Sequence, residues 1–372
     1  MANVFDYLKW RGDLTFSQDP PNAVDALIFS GLSYIRFGRE TVQEAETPVS
    51  LQTAAEVFFS QEGYEARCRI QKDLDLLRAA AGTCRFGGTR LCRYRDLLIP
   101  EQETQFAAMT FLLDDGSMFL SFRGTDNSLV GWKEDFNMTF QQTIPAQRLA
   151  LQYTREVAQE YVLPMRLGGH SKGGNLAVFA AARSSPMIQG QILEVYNNDG
   201  PGFTQYLMGD PGYVAMVPRI RTYVPQSSVI GMLLDHEEPY TVIRSKSIGL
   251  LQHDLYTWDV LGNGFLSVEE ITENSQFLDA TMKTWFANMT NQEREQLVDV
   301  MFALLGSGGA DSICDLLHPR RIRTYIKTLS SDEHLRRVLS TEFTGLLEAA
   351  RQTKARFDEK REDALLLEEA EE

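Results

Sequence analysis

The stretch "LGGHSKGGNLAVFAAA", Leu167 to Ala182, joins a short apolar run to an alanine-rich segment through glycines clustered around one serine. Two chemistries use glycine at such a corner. A phosphate-cradling loop needs G-x-x-x-x-G-K-[ST], with the lysine after the last glycine. Here Lys172 precedes Gly173, and no G-K-[ST] follows. The dinucleotide pattern G-x-G-x-x-G does not fit either. G-x-S-x-G does, as Gly169-His170-Ser171-Lys172-Gly173. That pattern places a serine at the tip of a sharp strand-to-helix turn, with glycines leaving room for the backbones that crowd it. The helix behind the turn would aim its first N–H groups at the point where an oxyanion forms.

The surroundings suit a strand-turn-helix unit. "MRLGG" (Met165–Gly169) reads as a short strand after Pro164, and Gln147 to Val162 as an amphipathic helix. "FAAMTFLL" and "MFLSF" flank Asp114-Asp115-Gly116-Ser117, a hairpin turn signal, and are the first clear strands. "ILEVYNN" (Ile192–Asn198), "RIRTYVP" (Arg219–Pro225) and "YTVIRSK" (Tyr240–Lys246) are further strands. Upstream, Asn22–Phe37 and Ala54–Ala81 have helical spacing. Strands alternating with helices predict an α/β fold, a mostly parallel sheet with helices on both faces. After Phe265 strand signals vanish. Thr290-x-x-Glu293 and Ser330-x-x-Glu333 are capping-box patterns, and Gly306–Gly309 separates helices. The acidic end, "DALLLEEAEE", is expected to fray. The predicted division is 1–262 and a helical region 263–372 that packs on it or caps it.

Composition narrows the partners. The 372 residues are 43% hydrophobic and 23% charged, enough for a sizeable core. A net charge of -15 argues against nucleic acid, whose backbone rewards a basic face. Four cysteines (Cys68, Cys84, Cys92, Cys314) form no C-x-x-C pair, so the expected setting is the reduced cytoplasm. No segment has the roughly 20 apolar residues a membrane helix needs, and the N-terminus lacks the pattern of a signal peptide.

A nucleophilic serine needs a base. Of five histidines, His170 neighbours Ser171 but should point away from it. His318 and His334 fall in the helical tail, and His236 in the polar turn "LLDHEEP". His253, in "LLQHDLYTW", stands after the last predicted strand, where the order Ser…acid…His puts the base. For the acid, Asp199 ends the strand after the nucleophile helix, before a Gly-Pro-Gly turn. Asp235, after the next strand, is the alternative. The oxyanion hole needs a donor from an earlier strand end. In "SFRGTD" (Ser121–Asp126) Gly124 allows close approach, and Thr125 offers an N–H and a hydroxyl; the backbone N–H of Lys172 is the second donor. Asp135, in "GWKEDFN", could anchor this loop.

These residues resemble the class 3 lipases, a branch of the α/β-hydrolases. The shared features are F-R-G-T (Phe122–Thr125), the following Trp132 and Asp135, G-H-S-K-G-G, and the late His253. "DYLKWRGD" (Asp6–Asp13) and "PQSSVIGMLL" (Pro225–Leu234) also resemble a lipase-like bacterial family. The resemblance implies an α/β-hydrolase fold, Ser171 as nucleophile, His253 as base, and Thr125 with Lys172 as oxyanion hole. One departure stands out. Class 3 lipases carry their acid as D-x-V after the strand corresponding to Tyr223–Pro225, and this chain has Ser227-Ser228-Val229 there.

The expected activity is a serine hydrolase cleaving carboxylic, acyl-type esters of small molecules through an acyl-enzyme, with no cofactor or metal. An acyltransferase on the same triad, or a non-catalytic scaffold that has lost its aspartate, are the alternatives. "DVLGNGFLSVEE" (Asp259–Glu270) mimics a calcium loop, but Leu261 stands where an oxygen ligand belongs, so a Gly-Asn-Gly turn is expected. "RFGGTRLCRYR" (Arg85–Arg95) is a basic stretch expected as a solvated loop.

Overall fold

The computed structural model describes residues 2–38, 47–126, 128–309 and 319–371, so Cys314 and His318 lie outside the described residues. Eight strands form one sheet: β1 (Val49–Ser50), β2 (Arg90–Ile99), β3 (Thr104–Leu112), β4 (Met118–Phe122), β5 (Met165–His170), β6 (Ile192–Asn198), β7 (Ile220–Pro225) and β8 (Tyr240–Ile243). They lie side by side in sequence order. The pairings from β1 to β4 are antiparallel, and the four from β4 to β8 are parallel. This is the expected α/β-hydrolase architecture.

Alternation along the strands explains why both faces are covered. In β4, Phe119 joins the core on one face, while Met118, Leu120 and Phe122 join the core on the other. The first face is clothed by segments that precede the parallel strands, chiefly the helices Val4–Arg11, Ala23–Leu32, Leu51–Phe59 and Gln71–Ala81. Phe29 sits at its centre, with ring centroids 4.6 to 5.7 Å from those of Phe16, Phe86, Phe111 and Phe119. Truncating such a ring costs about 3–5 kcal/mol. The second face is covered by the crossover helices Pro145–Glu160 and Lys172–Arg183.

Several expectations need correction. The single helix foreseen over Ala54–Ala81 is two, Leu51–Phe59 and Gln71–Ala81, with a 3-10 turn at Tyr64–Arg67 between them. Arg85–Arg95 is not a solvated loop. It enters β2, which precedes the strands expected to be first. Arg85 is buried, with Nε 2.8 Å from one Asp25 oxygen and Nη2 2.5 Å from the other. Arg93 and Arg95 share Glu156. The reading counted charge and could not see the carboxylates that meet it.

The calcium-like stretch is a hairpin, Val260–Leu261 against Gly264–Phe265, and Asp259 lies between Arg244 and Lys246. Beyond Phe265 every described element is a helix: Glu273–Ala287, Asn291–Ser307, Pro319–Ser331 and Glu333–Glu371. The Thr290–Glu293 capping box is present. The one at Ser330 is not: its hydroxyl bonds Ile326 O inside a helix, and Asp332 accepts from Leu335 N instead. The acidic end does not fray but continues as helix to Glu371, since Ala, Leu and Glu are all strong helix formers. No described helix is long and apolar enough to cross a membrane.

Candidate active site

β5 ends at His170, and Ser171 turns the chain into the helix Lys172–Arg183 with φ 59° and ψ -135°. A non-glycine residue is held there only by its surroundings. Ser171 N donates to Asn198 O at 2.9 Å, fixing the turn to the end of β6. The glycines are steric necessities. A Cβ on Gly173 would lie 2.1 Å from Phe122 O, and one on Gly124 2.4 Å from His170 O. β4 and β5 therefore run close enough to bring the Arg-Gly-Thr loop beside the serine.

Asp199 follows β6 with φ 53°, another strained non-glycine residue. Its carboxylate is fully buried, and Oδ2 accepts from His253 Nδ1 at 2.6 Å. Asp235 makes no such contact: its side chain is half exposed and bonded to Gln205. Of the two acids left open by the sequence, Asp199 is the one that meets His253. Oδ1 of Asp199 accepts from the Ser228 hydroxyl. Where D-x-V would put a carboxylate after β7, this chain has the Ser228 hydroxyl, and the carboxylate that meets His253 comes from the end of β6.

His170, passed over as a base, is not idle. Its Nε2 is 2.7 Å from the backbone carbonyl of His253, and its Nδ1 is 2.9 Å from Tyr34 OH. A carbonyl can only accept, so Nε2 carries the proton and Nδ1 accepts from the tyrosine. Burial, with the neighbouring His253, holds His170 well below the ordinary imidazole range, which keeps this neutral tautomer. His170 and Tyr34 therefore fix the height of the His253 backbone. The sequence offered no signal for this beyond adjacency.

Lys172 contributes more than the backbone N–H foreseen for it. Its buried ammonium donates to Gln105 O, Gln105 Oε1 and Glu134 Oε2 at 3.0, 2.8 and 2.9 Å. Burial works against the charge, but Glu134 and Asp135 outweigh it, so the Lys172 pKa lies above its usual value. Glu134 also accepts from Gln105 N and Ala146 N, so both of its oxygens are engaged. Neither Glu134 nor Gln105 was anticipated.

Thr125 requires one correction. Its hydroxyl donates to Asp135 and is not free to serve an oxyanion; only its backbone N–H remains for that task. Asp135 does anchor this loop. Burial pushes its pKa up to about 6, against the pull of the Lys172 ammonium and the Thr125 hydroxyl.

Ser171, His253 and Thr125 line a cavity of about 320 Å³. Its walls are mainly apolar. Trp132 and Phe136 come from the helix Leu129–Asn137, Ile230, Leu233 and Leu234 from the segment after β7, and Leu278, Met282 and Phe286 from the helix Glu273–Ala287. The last three recur every four residues, so one face of that helix lies along the cavity. Lys133 pairs with Asp299 at 2.7 Å, and Arg294 reaches Thr139 O at 2.7 Å, fastening the helix Asn291–Ser307 onto the same wall.

Among solved structures, the chain is similar to a mutant form of MDLA from Penicillium cyclopium, at 12% identity and TM-score 0.38, covering 67% of this chain and 87% of that one. It is similar to a fungal lipase at 11% identity and TM-score 0.39, with the same coverage. It is also similar to the Rhizomucor miehei lipase in its propeptide complex, at 14% identity and TM-score 0.35, covering 59% and 67%. No curated protein matches the sequence. A family profile matches residues 80–303, which takes in Thr125, Ser171, Asp199 and His253, and by that match the chain belongs to the Mbeg1-like family.

Proposed function

We propose that this protein is a serine hydrolase that cleaves carboxylic esters carrying an acyl chain, with Ser171 as nucleophile, His253 as base and Asp199 as the orienting acid. The observation that carries the reading is the His253–Asp199 hydrogen bond at the wall of an apolar cavity into which the strained Ser171 turn also opens. A proton on Nδ1, held by the buried carboxylate, leaves Nε2 as the accepting nitrogen. Ser171 attacks the ester carbonyl as its proton passes to His253 Nε2. The carbonyl oxygen takes the charge, and the backbone N–H groups of Thr125 and Lys172 stabilise it. Protonated His253 then gives its proton to the leaving alcohol, and the acyl group remains on Ser171. Water, deprotonated by the same histidine, releases the acid.

The apolar walls suit an acyl chain, and Arg69 and Asp126 are among the polar groups of the lining that a head group could meet. The helices that follow Phe265 act as a cap, since one of them supplies a wall of the cavity. The three described cysteines are unpaired thiols, which suits the cytoplasm.

Labelling with a fluorophosphonate probe tests this reading. Wild type should label, and Ser171→Ala and His253→Ala should not. A p-nitrophenyl ester series then gives the preferred chain length. Folded wild type that takes up no label would overturn the assignment in favour of a non-catalytic scaffold.

A further inference from the structure

The segment between β7 and β8 holds a second buried histidine–carboxylate pair that the proposed chemistry does not use. His236 Nδ1 is 3.0 Å from Glu238 Oε1, and its Nε2 is 2.8 Å from Gly231 O. The Glu238 carboxylate is buried and accepts also from the hydroxyls of Thr222 and Tyr213. Burial opposes its charge, but His236 and the two hydroxyls hold its pKa below the usual carboxylate value.

The contacts continue across the backbone of Gly231. Gly231 N donates to Ser228 Oγ at 3.0 Å, and that hydroxyl donates in turn to Asp199 Oδ1. Asp199 Oδ2 holds His253. Gly231 must be glycine, for a Cβ there would lie 2.2 Å from Asp199 Oδ1. Ser228 is itself buried, and its carbonyl accepts from the hydroxyl of Ser275 at the start of the cap helix.

Resting on the proposed function, we infer that Ser228 is a positioning residue for Asp199, and that His236 with Glu238 keeps it in place through the two peptides that meet at Gly231. The physical need is plain. A carboxylate bonded only to His253 can rotate about its Cβ–Cγ bond and draw the imidazole with it. A second bond on the other oxygen fixes that rotation, and the Gly231 N–H commits the Ser228 proton to Asp199. With both ring nitrogens of His236 facing acceptors, the ring acts as a strut between Glu238 and the Gly231 carbonyl. Groups around it include Asp279 and Lys283 of the cap helix and Asp235 beside it in the chain.

The test is a double-mutant cycle on ester hydrolysis with wild type, Ser228→Ala, Asp199→Asn and the double variant. Ser228→Ala should lower kcat on the order of 10- to 100-fold with KM within about twofold, since orientation and not binding is lost. In the Asp199→Asn background the same change should cost less than about twofold. A merely structural serine would cost the same in both backgrounds, and that result overturns the inference. Ser228→Cys, nearly isosteric with a weak donor, should fall between Ser228→Ala and wild type, and it serves if the alanine variant does not fold.

An independent reading is the low-field proton resonance of the His253–Asp199 bond. It should broaden or move upfield in Ser228→Ala and, by a smaller amount, in His236→Phe; an unchanged resonance in both also overturns the inference. Fluorophosphonate labelling of wild type separates the two failures. If wild type does not label, the hydrolase reading falls and the resonance alone judges Ser228. If it labels and the cycle shows no coupling, only the role of Ser228 falls.

Discussion

The turn at Ser171 and the turn at Ser228 lie at one site, and they are built with different means uppermost. The first is held by exclusion: Gly169, Gly173 and Gly124 stand where a side chain would strike backbone atoms. The second has one such glycine, Gly231, and is held for the rest by attraction, through a run of hydrogen bonds from Glu238 to Asp199. Exclusion leaves a mark in sequence, because only one residue type satisfies it. Attraction does not, because many polar residues could supply each bond.

The sharpest way to break this comparison is at the glycines. Gly173→Ala would force a Cβ to within 2.1 Å of a backbone carbonyl that cannot move without parting β4 from β5. We expect a loss of more than about 4 kcal/mol, seen as a collapse of the urea midpoint or of soluble yield. A variant that unfolds like wild type would show the turn to be compliant. The acid comes next. Asp199→Asn should reduce kcat by about 10⁴-fold, near 5 kcal/mol, while the unfolding midpoint moves little, because the histidine loses the partner that selects its tautomer.

Beneath the elbow, exclusion and attraction meet at Lys172. Replacing it with methionine strands the buried Glu134 carboxylate, at a cost of about 3–5 kcal/mol. Adding Glu134→Gln should recover much of that loss, and urea unfolding of both variants measures it. The smallest effect is expected at Asp135. Its pKa is raised from 3.8 to about 6, so the folded protein binds this proton more tightly than the unfolded chain. Its contribution to stability is complete below about pH 3.8 and is lost as pH rises through about 6. Asp135→Asn should therefore match or slightly exceed wild type in stability at pH 8 and flatten the profile between pH 4 and 6. Thermal unfolding across that range checks the sign.

Much of the fold was legible for the reason the comparison gives. G-x-S-x-G, the Asp-Asp-Gly-Ser turn and the apolar strand runs each impose a local geometry, and each stands in the structure near its expected bounds. His253 was reached through chain order, and Asp199 only as one of two acids. What stayed hidden were residues whose purpose depends on a distant partner. Arg85 looked like solvated charge until Asp25, sixty residues away, met it in the core. Glu134 carried no sign in the sequence, and Ser228 stood only as part of a gap in a motif. His170 looked like a mere neighbour of the serine, and its contact with the His253 carbonyl has no mark in the sequence.

The sheet's strand order has a further consequence. Each strand is bonded only to its neighbours in the chain, so no pairing waits on a remote segment. Such a sheet can be laid down in the direction of synthesis, one strand at a time, with modest loop-closure cost at each step. Long-range contacts come late in the chain: His253 O meets the His170 ring, and Val260 N reaches back to Ala2 O. On the proposed reading, the chain would carry during its synthesis a finished turn at Ser171 without His253 beside it, and would gain activity only once its later segments have crossed back.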